Sequence, residues 1–289
     1  MPTNLKPVIG LALSGGAARG MAHVGVLRAL VENDIPINCI AGTSAGSLVG
    51  GAFAAGMPVE EIADLGRNMR WRDIGRVTMS RLGVQSNERL EQYLRAHLPI
   101  SRFEDLPIPF AAVATELKTG AAVILRDEGD LPFAIRASCA IPGWYVPVAD
   151  AQGRQLVDGG LVAVIPATVT RSLGADIVIA VDVNAAGATF IGANSVIGVL
   201  LQSMLVVQKT ASHYQLELSD FVIKPKVGHI RWDEMGRADE LIAAGYEAGM
   251  ESIPLIRSLI DEFVSAQPKW YQLRRRKKLS VKPPLTLPT

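Results

Sequence analysis

The sequence predicts an α/β fold, and three features carry that expectation. Two Gly-rich turns, Ser14–Gly20 and Gly42–Gly46, each follow a short apolar run and each lead into a helical pattern. A third apolar run, Ile177 to Val183, is the strongest candidate in the chain for a buried strand.

Taken in order, Val8 to Leu13 is fully apolar and reads as a central parallel strand. Met21 to Asn33 then places Val24, Leu27 and Val31 at helical spacing, and Asn33-Asp34-Ile35-Pro36 stops that helix. Ile37 to Ala41 is a second short strand. The helix after Gly46 is built from small residues and runs through Leu48, Val49, Ala52 and Phe53. Glu60–Arg70 and Asn87–His97 read as amphipathic helices, the second with Ser86 or Asn87 as its N-cap. Phe110–Thr115 and Ala121–Leu125 form a strand pair across Lys118-Thr119-Gly120, and Leu131–Cys139 is a short helix stopped by Pro142-Gly143. Gln155-Leu156-Val157 is a strand ending at Asp158. Ser195–Leu218 is a long helix, Phe221–Ile223 a last strand and Ala238–Val264 a final helix. No repeat or interior linker interrupts this pattern, so residues 1–267 are expected to form one domain. Residues 268–289 form a basic, Pro-containing tail.

Composition narrows the function classes. Of 289 residues, 29 are Lys or Arg and 28 are Asp or Glu, a net charge of +1 that leaves no excess for a dedicated nucleic-acid binder. The two cysteines, Cys39 and Cys139, sit in apolar surroundings and make no disulfide framework or metal cluster, so buried free thiols are expected. No metal or other cofactor is called for. The N-terminus carries no signal-peptide pattern, and the run Val196–Val207 is too short to span a bilayer, which predicts a soluble, cytoplasmic protein. The tail segment Arg274-Arg275-Arg276-Lys277-Lys278 is either a solvated extension or a patch drawn to anionic lipid headgroups, which would put the protein at a membrane periphery.

Gly42-Thr43-Ser44-Ala45-Gly46 fits G-x-S-x-G, a weak pattern by itself that gains weight between an apolar strand and a helix. A serine at such a turn is thrust into the open at a helix N-terminus, where the helix dipole favours developing negative charge. The competing reading is a serine that merely caps the helix. Gly15-Gly16-Ala17-Ala18-Arg19-Gly20 leaves backbone N–H groups approachable, for a phosphate or for the oxyanion of a tetrahedral intermediate. A dinucleotide fingerprint needs Gly at position 17 and an acid ending the next strand; the chain has Ala17 and ends that strand Ile40-Ala41-Gly42. Asp158, closing an apolar strand before Gly159-Gly160, is placed to project a carboxylate into a site as a base, although Asp-Gly-Gly is also ordinary turn chemistry.

These segments together resemble the patatin-like phospholipases, and most closely the bacterial members related to the catalytic domain of neuropathy target esterase. The resemblance also includes His23-Val24-Gly25-Val26-Leu27, Phe103 to Phe110, Ala114-Thr115-Glu116-Leu117 and Arg136 to Gly143, and spans about Val8 to Lys224 in family order. It implies a three-layer α/β/α fold around a mostly parallel, mixed sheet. It also implies a serine lipid acyl hydrolase acting through a Ser–Asp dyad and an acyl-enzyme. By motif match Ser44 would be the nucleophile and Asp158 its activator. Gly42 and Gly46 would shape the elbow, and Gly159 and Gly160 would follow the acid. The N–H groups of Gly15, Gly16 and Ala17 would form the oxyanion hole, and Arg19 would order that loop. Ala17 departs from the family, where a third Gly is common.

Three alternatives remain at this stage. An α/β-hydrolase triad would recruit His213 or His229 after Asp158, with His23 more suited to packing or a helix start. An acyltransferase would use the same serine toward another acceptor, and a catalytically idle module would only bind lipid. Trp71, Trp144 and Tyr145 either line a lipid-facing mouth or belong to the core.

Overall fold

The computed structural model describes residues 6–185 and 195–266. The first half contains β1 (Ile9–Leu13), α1 (Met21–Glu32), β2 (Cys39–Thr43), α2 (Ala45–Ala54), α3 (Val59–Asn68), α4 (Trp71–Ile74), β3 (Arg76–Val77), β4 (Gly83–Ser86), α5 (Glu88–His97), β5 (Phe110–Glu116) and β6 (Ala122–Arg126). The second contains α6 (Leu131–Ser138), β7 (Gly143–Tyr145), β8 (Val148–Ala149), β9 (Gln155–Asp158), α7 (Ala167–Ser172), β10 (Ile177–Val181), α8 (Val196–Leu216), β11 (Phe221–Ile223) and α9 (Ala238–Ala266).

The main sheet runs β11-β10-β1-β2-β5-β9-β8, with β6 also paired to β5. Strands β11, β10, β1, β2 and β5 are mutually parallel, whereas β6 and β9 run antiparallel to β5 and β8 antiparallel to β9. The predicted three-layer α/β/α architecture with a mixed sheet is the one observed. Side chains alternate along β1: Ile9, Leu11 and Leu13 enter the larger core with α1, α2, α3 and α9, and Ala12 enters a smaller core with Ala167 of α7 and Leu216 of α8. Each face of the sheet therefore has its own helical layer, as a buried parallel sheet requires.

One detail of pairing positions the site. Strand β6 takes one edge of β5 from Ala111 to Thr115, so β2 and β9 share the other. Thr43 of β2 pairs with Val113, and Asp158 of β9 pairs with the next residue, Ala114. Because β2 is parallel and β9 antiparallel to β5, their C-terminal ends run toward each other and meet there.

The longer predicted elements agree with the structure to within a few residues. Val31, placed on the buried stripe of the first helix, is 47% exposed, and Leu30 fills the core position instead. Helix α6 ends at Ser138, ahead of Pro142-Gly143, and Gly143 begins β7. Asn87 occupies the N-cap of α5 without capping it; its side chain donates instead to the Arg136 carbonyl. The short elements α4, β3, β4, β7, β8 and α7 were not foreseen. The tail from residue 267 onward, with Arg274 to Lys278, lies outside the described residues.

Candidate active site

Ser44 sits between β2 and α2 with φ 52° and ψ −122°, a conformation that costs a non-Gly residue on the order of 1–3 kcal/mol. The turn is tight enough that a Cβ at position 42 would collide with the Gly46 backbone, and one at 46 with the Leu13 and Ser14 backbone. Glycine is therefore required at both flanks of the elbow. Although Ser44 occupies the N-cap, its hydroxyl makes no capping hydrogen bond. Ser47 bonds to this turn, its hydroxyl donating to the Ser44 carbonyl at 2.6 Å.

Asp158 is 3% exposed and lines the same cavity as Ser44. Burial pushes its pKa up to about 6, against the opposing pull of the Ser44 hydroxyl and the Gly160 N–H, which donates to Oδ1 at 2.7 Å. Gly159 and Gly160 form the 3-10 turn after it. The junction where β2 and β9 meet is bridged by Ser138. Its hydroxyl donates to the Val113 carbonyl at 2.6 Å and accepts the Ser44 N–H at 2.9 Å. Thr115 donates its hydroxyl to the Asp158 carbonyl at 2.9 Å, and Thr43 donates to Ala163 at 2.7 Å.

The glycine loop flanks the serine: a Cβ built on Gly15 would stand 3.4 Å from the Ser44 Cβ. The three amides of the expected oxyanion hole are not equivalent. Gly15 donates its N–H to the Val164 carbonyl at 3.0 Å, which corrects its expected role. Among the described residues no hydrogen bond engages the N–H of Gly16 or Ala17. Ala17 has φ 48°, the left-handed conformation that glycine adopts at least cost. Arg19 is buried and acts on the loop from outside: Nε donates to the Ile230 carbonyl at 2.6 Å, Nη2 to Gly228 at 3.3 Å and Nη1 to Asn184 Oδ1 at 3.4 Å. Asn184 in turn donates to the Gly15 carbonyl at 2.7 Å. Burial lowers the Arg19 pKa.

Ser44 borders two cavities. The larger, about 600 Å³, is lined by Ser44, Asp158, the glycine loop, Arg19, Arg231 and α8 residues from Gly198 to Gln208. Trp71, Trp144 and Trp232 form part of its wall, with Trp232 edge-on to both others at 6.0 and 6.4 Å. Trp71 and Trp144 thus line a cavity, while Tyr145 is buried and lines the second one beside Ser44. The second cavity, about 120 Å³, runs from Ser44 past Leu48, Leu65, Leu90 and Leu94 and is almost wholly apolar.

Among the described residues no hydrogen bond joins a histidine to Ser44; His97, which lines the second cavity, has its Nδ1 2.7 Å from the Tyr93 carbonyl. His23 is fully buried on α1, with Nε2 2.8 Å from the Ser14 carbonyl, and desolvation lowers its pKa to about 4. His213 lies exposed on α8 at 3.9 Å from Glu217, and His229 is exposed and bonded to Glu240 at 2.8 Å. Cys39 is buried as expected. Cys139 is only half-buried and its thiol faces Ser44, Ser47 and Asp158, where desolvation raises its pKa to about 12. The sequence reading missed Ser138, Thr115 and Asn184 as site residues. Ser138 and Thr115 stood in segments that carried the family resemblance, which was the available signal.

A family model described as patatin-like phospholipase matches residues 11–171. The chain is 40% identical over 182 residues to an uncharacterized NTE family protein of Mycobacterium bovis, covering 62% of this chain and 50% of that protein. It is 30% identical over 275 residues to rat patatin-like phospholipase domain-containing protein 7, covering 83% of this chain and 20% of that protein. Lysophospholipase NTE1 of Mycosarcoma maydis is 37% identical over 183 residues, 61% of this chain and 10% of that protein. The chain thus spans half the length, or less, of these relatives. Among solved structures, VipD from Legionella pneumophila superposes with a TM-score of 0.53 at 16% identity, over 89% of this chain and 67% of that one, a likeness of fold.

Proposed function

Because the chain belongs to the patatin-like phospholipase family, we propose that it is a lipid acyl hydrolase in which Ser44 attacks the ester and Asp158 accepts its proton. One observation carries this reading above the others: a serine in a strained elbow, its hydroxyl making no capping bond, shares a cavity with a buried carboxylate and also borders a second, apolar cavity.

The chemistry follows from the contacts. Ser44 Oγ adds to the ester carbonyl as Asp158 takes its proton, and the N–H groups of Gly16 and Ala17 receive the oxyanion. Collapse breaks the bond to the leaving alkoxide, which takes the proton from Asp158, and leaves an acyl group on Ser44. Water then enters, gives a proton to Asp158 and releases the fatty acid, restoring the serine. A carboxylate ordinarily is too weak a base for this work; desolvation of Asp158 moves it toward the needed range. The smaller cavity suits an acyl chain, and the larger, with Arg19, Arg231, Asn184 and Gln208 among its lining groups, suits the more polar remainder of the substrate. The named activity of the fungal lysophospholipase supports a phospholipid or lysophospholipid ester as substrate class.

Release of nitrophenol from p-nitrophenyl esters tests the reading. Ser44→Ala and Asp158→Asn are each expected to lose activity by about 10³-fold or more. The wild-type kcat/KM should fall about tenfold per pH unit below about 6, as Asp158 takes up a proton. Full activity in Ser44→Ala would overturn the mechanism, and an acylated second alcohol in place of free fatty acid would make the enzyme a transferase.

A further inference from the structure

The hairpin formed by β3 and β4 carries an exposed surface that the proposed catalysis does not use. Met79 at its tip is fully exposed, Val77 is 73% exposed and Leu82 is 55% exposed. Arg76 and Arg81 flank these side chains in the open, and among the described residues neither guanidinium has an ion pair or hydrogen-bond partner. Residues 76–87 contain no Asp or Glu. Nearby acids are engaged elsewhere: Asp73 accepts the Arg70 N–H at 2.9 Å, and Glu88 lies 3.8 Å from Arg136. An apolar tip framed by free arginines is the complement of a surface that is anionic outside and apolar beneath.

The hairpin is also tied to the site. Strand β4 pairs with β7 from Gly83 to Gln85, and the central residue of β7 is Trp144, in the wall of the larger cavity. Helix α8, which also lines that cavity, lies beside the same strand and exposes Val196, Val199, Leu200, Val206 and Val207. No helix of the described residues is long and apolar enough to cross a membrane.

We propose that the β3–β4 hairpin docks the protein on an anionic lipid surface, Met79 and Leu82 entering the interface while Arg76 and Arg81 meet headgroup phosphates. Its purpose, but not its measurement, rests on the lipid-hydrolase reading.

The test is sedimentation of the full chain with phosphatidylcholine vesicles, with and without phosphatidylglycerol, all proteins carrying Ser44→Ala so that no turnover intervenes. The parent should bind the anionic vesicles more strongly and release them as salt rises. Adding R76Q and R81Q together should weaken binding about twentyfold, and adding M79S and L82S about tenfold. Met79→Ser alone, at a side chain with no packing to lose, should weaken it severalfold. The same substitutions on the Ser44 background should leave hydrolysis of a soluble short-chain ester unchanged. A parent that ignores anionic vesicles, or hairpin variants that bind them as the parent does, would overturn the proposal. An inactive wild type that still binds through the hairpin would instead overturn the hydrolase reading alone.

Discussion

The two residues at the centre of the site are held in conditions that neither would choose alone. Ser44 stores backbone strain, and Asp158 stores the unfavourable burial of a charge. The native Asp158 carboxyl, with its pKa raised from 3.8 to about 6, keeps a proton that the unfolded chain releases, so its contribution to stability falls as pH rises through that window. Asp158→Asn is therefore expected to be more stable than wild type at neutral pH, by up to about 3 kcal/mol, with the gain gone near pH 4. His23 acts in the opposite sense. Its native pKa of about 4 means that its contribution is present above 6.5 and is lost as pH falls toward 4. In the wild type these two slopes partly cancel, and the Asn variant should show the steeper acid loss. Denaturant melts across this range check both statements. The elbow at Ser44 and the strand-end position of Asp158 were legible in the sequence because fixed spacing between small residues marks such turns. Ser138 was not, because its bond to Ser44 joins positions 94 residues apart and leaves no local pattern.

Among elements, α1 and α9 make the closest helix pair. A Cβ on Gly25 of α1 would strike the Ile242 carbonyl of α9, and one on Gly245 of α9 would strike the Ala22 carbonyl of α1. Gly245→Ala should destabilise by about 1–3 kcal/mol despite the better helix propensity of Ala, because backbone cannot yield as a flexible side chain does. A thermal melt reads this directly, and an unchanged midpoint would mean that the helices part without penalty. The long helices and the fully buried strands were legible from periodicity and apolar runs. Strands β3, β4, β7 and β8 were not, since two to four residues carry too little alternation to register, and their pairing is fixed by tertiary contact.

Across the whole molecule, the proposed function would give each of the two cavities beside Ser44 its own selectivity. Leu65 on α3 lines the apolar cavity. Leu65→Trp should lower kcat/KM for long acyl esters about tenfold, the value of roughly two buried methylenes, while short esters react as before. A chain-length series on the purified variant measures it, and an unchanged profile would place the acyl chain elsewhere. Such cavities leave no trace in one sequence, because their walls come from α2, α3, α5 and β7 together.

The meeting of β2 and β9 on one edge of β5 has a consequence for how the candidate site comes into being. Neither strand end is a neighbour of the other in the chain, and each finds its place only by pairing with the same third strand. A slip of β9 by two residues would keep its inward face yet move the carboxylate about 7 Å from its place. Under the proposed mechanism, a chain in which β5 has not yet gathered both strands, however helical, lacks the juxtaposition of Ser44 and Asp158 on which the chemistry depends.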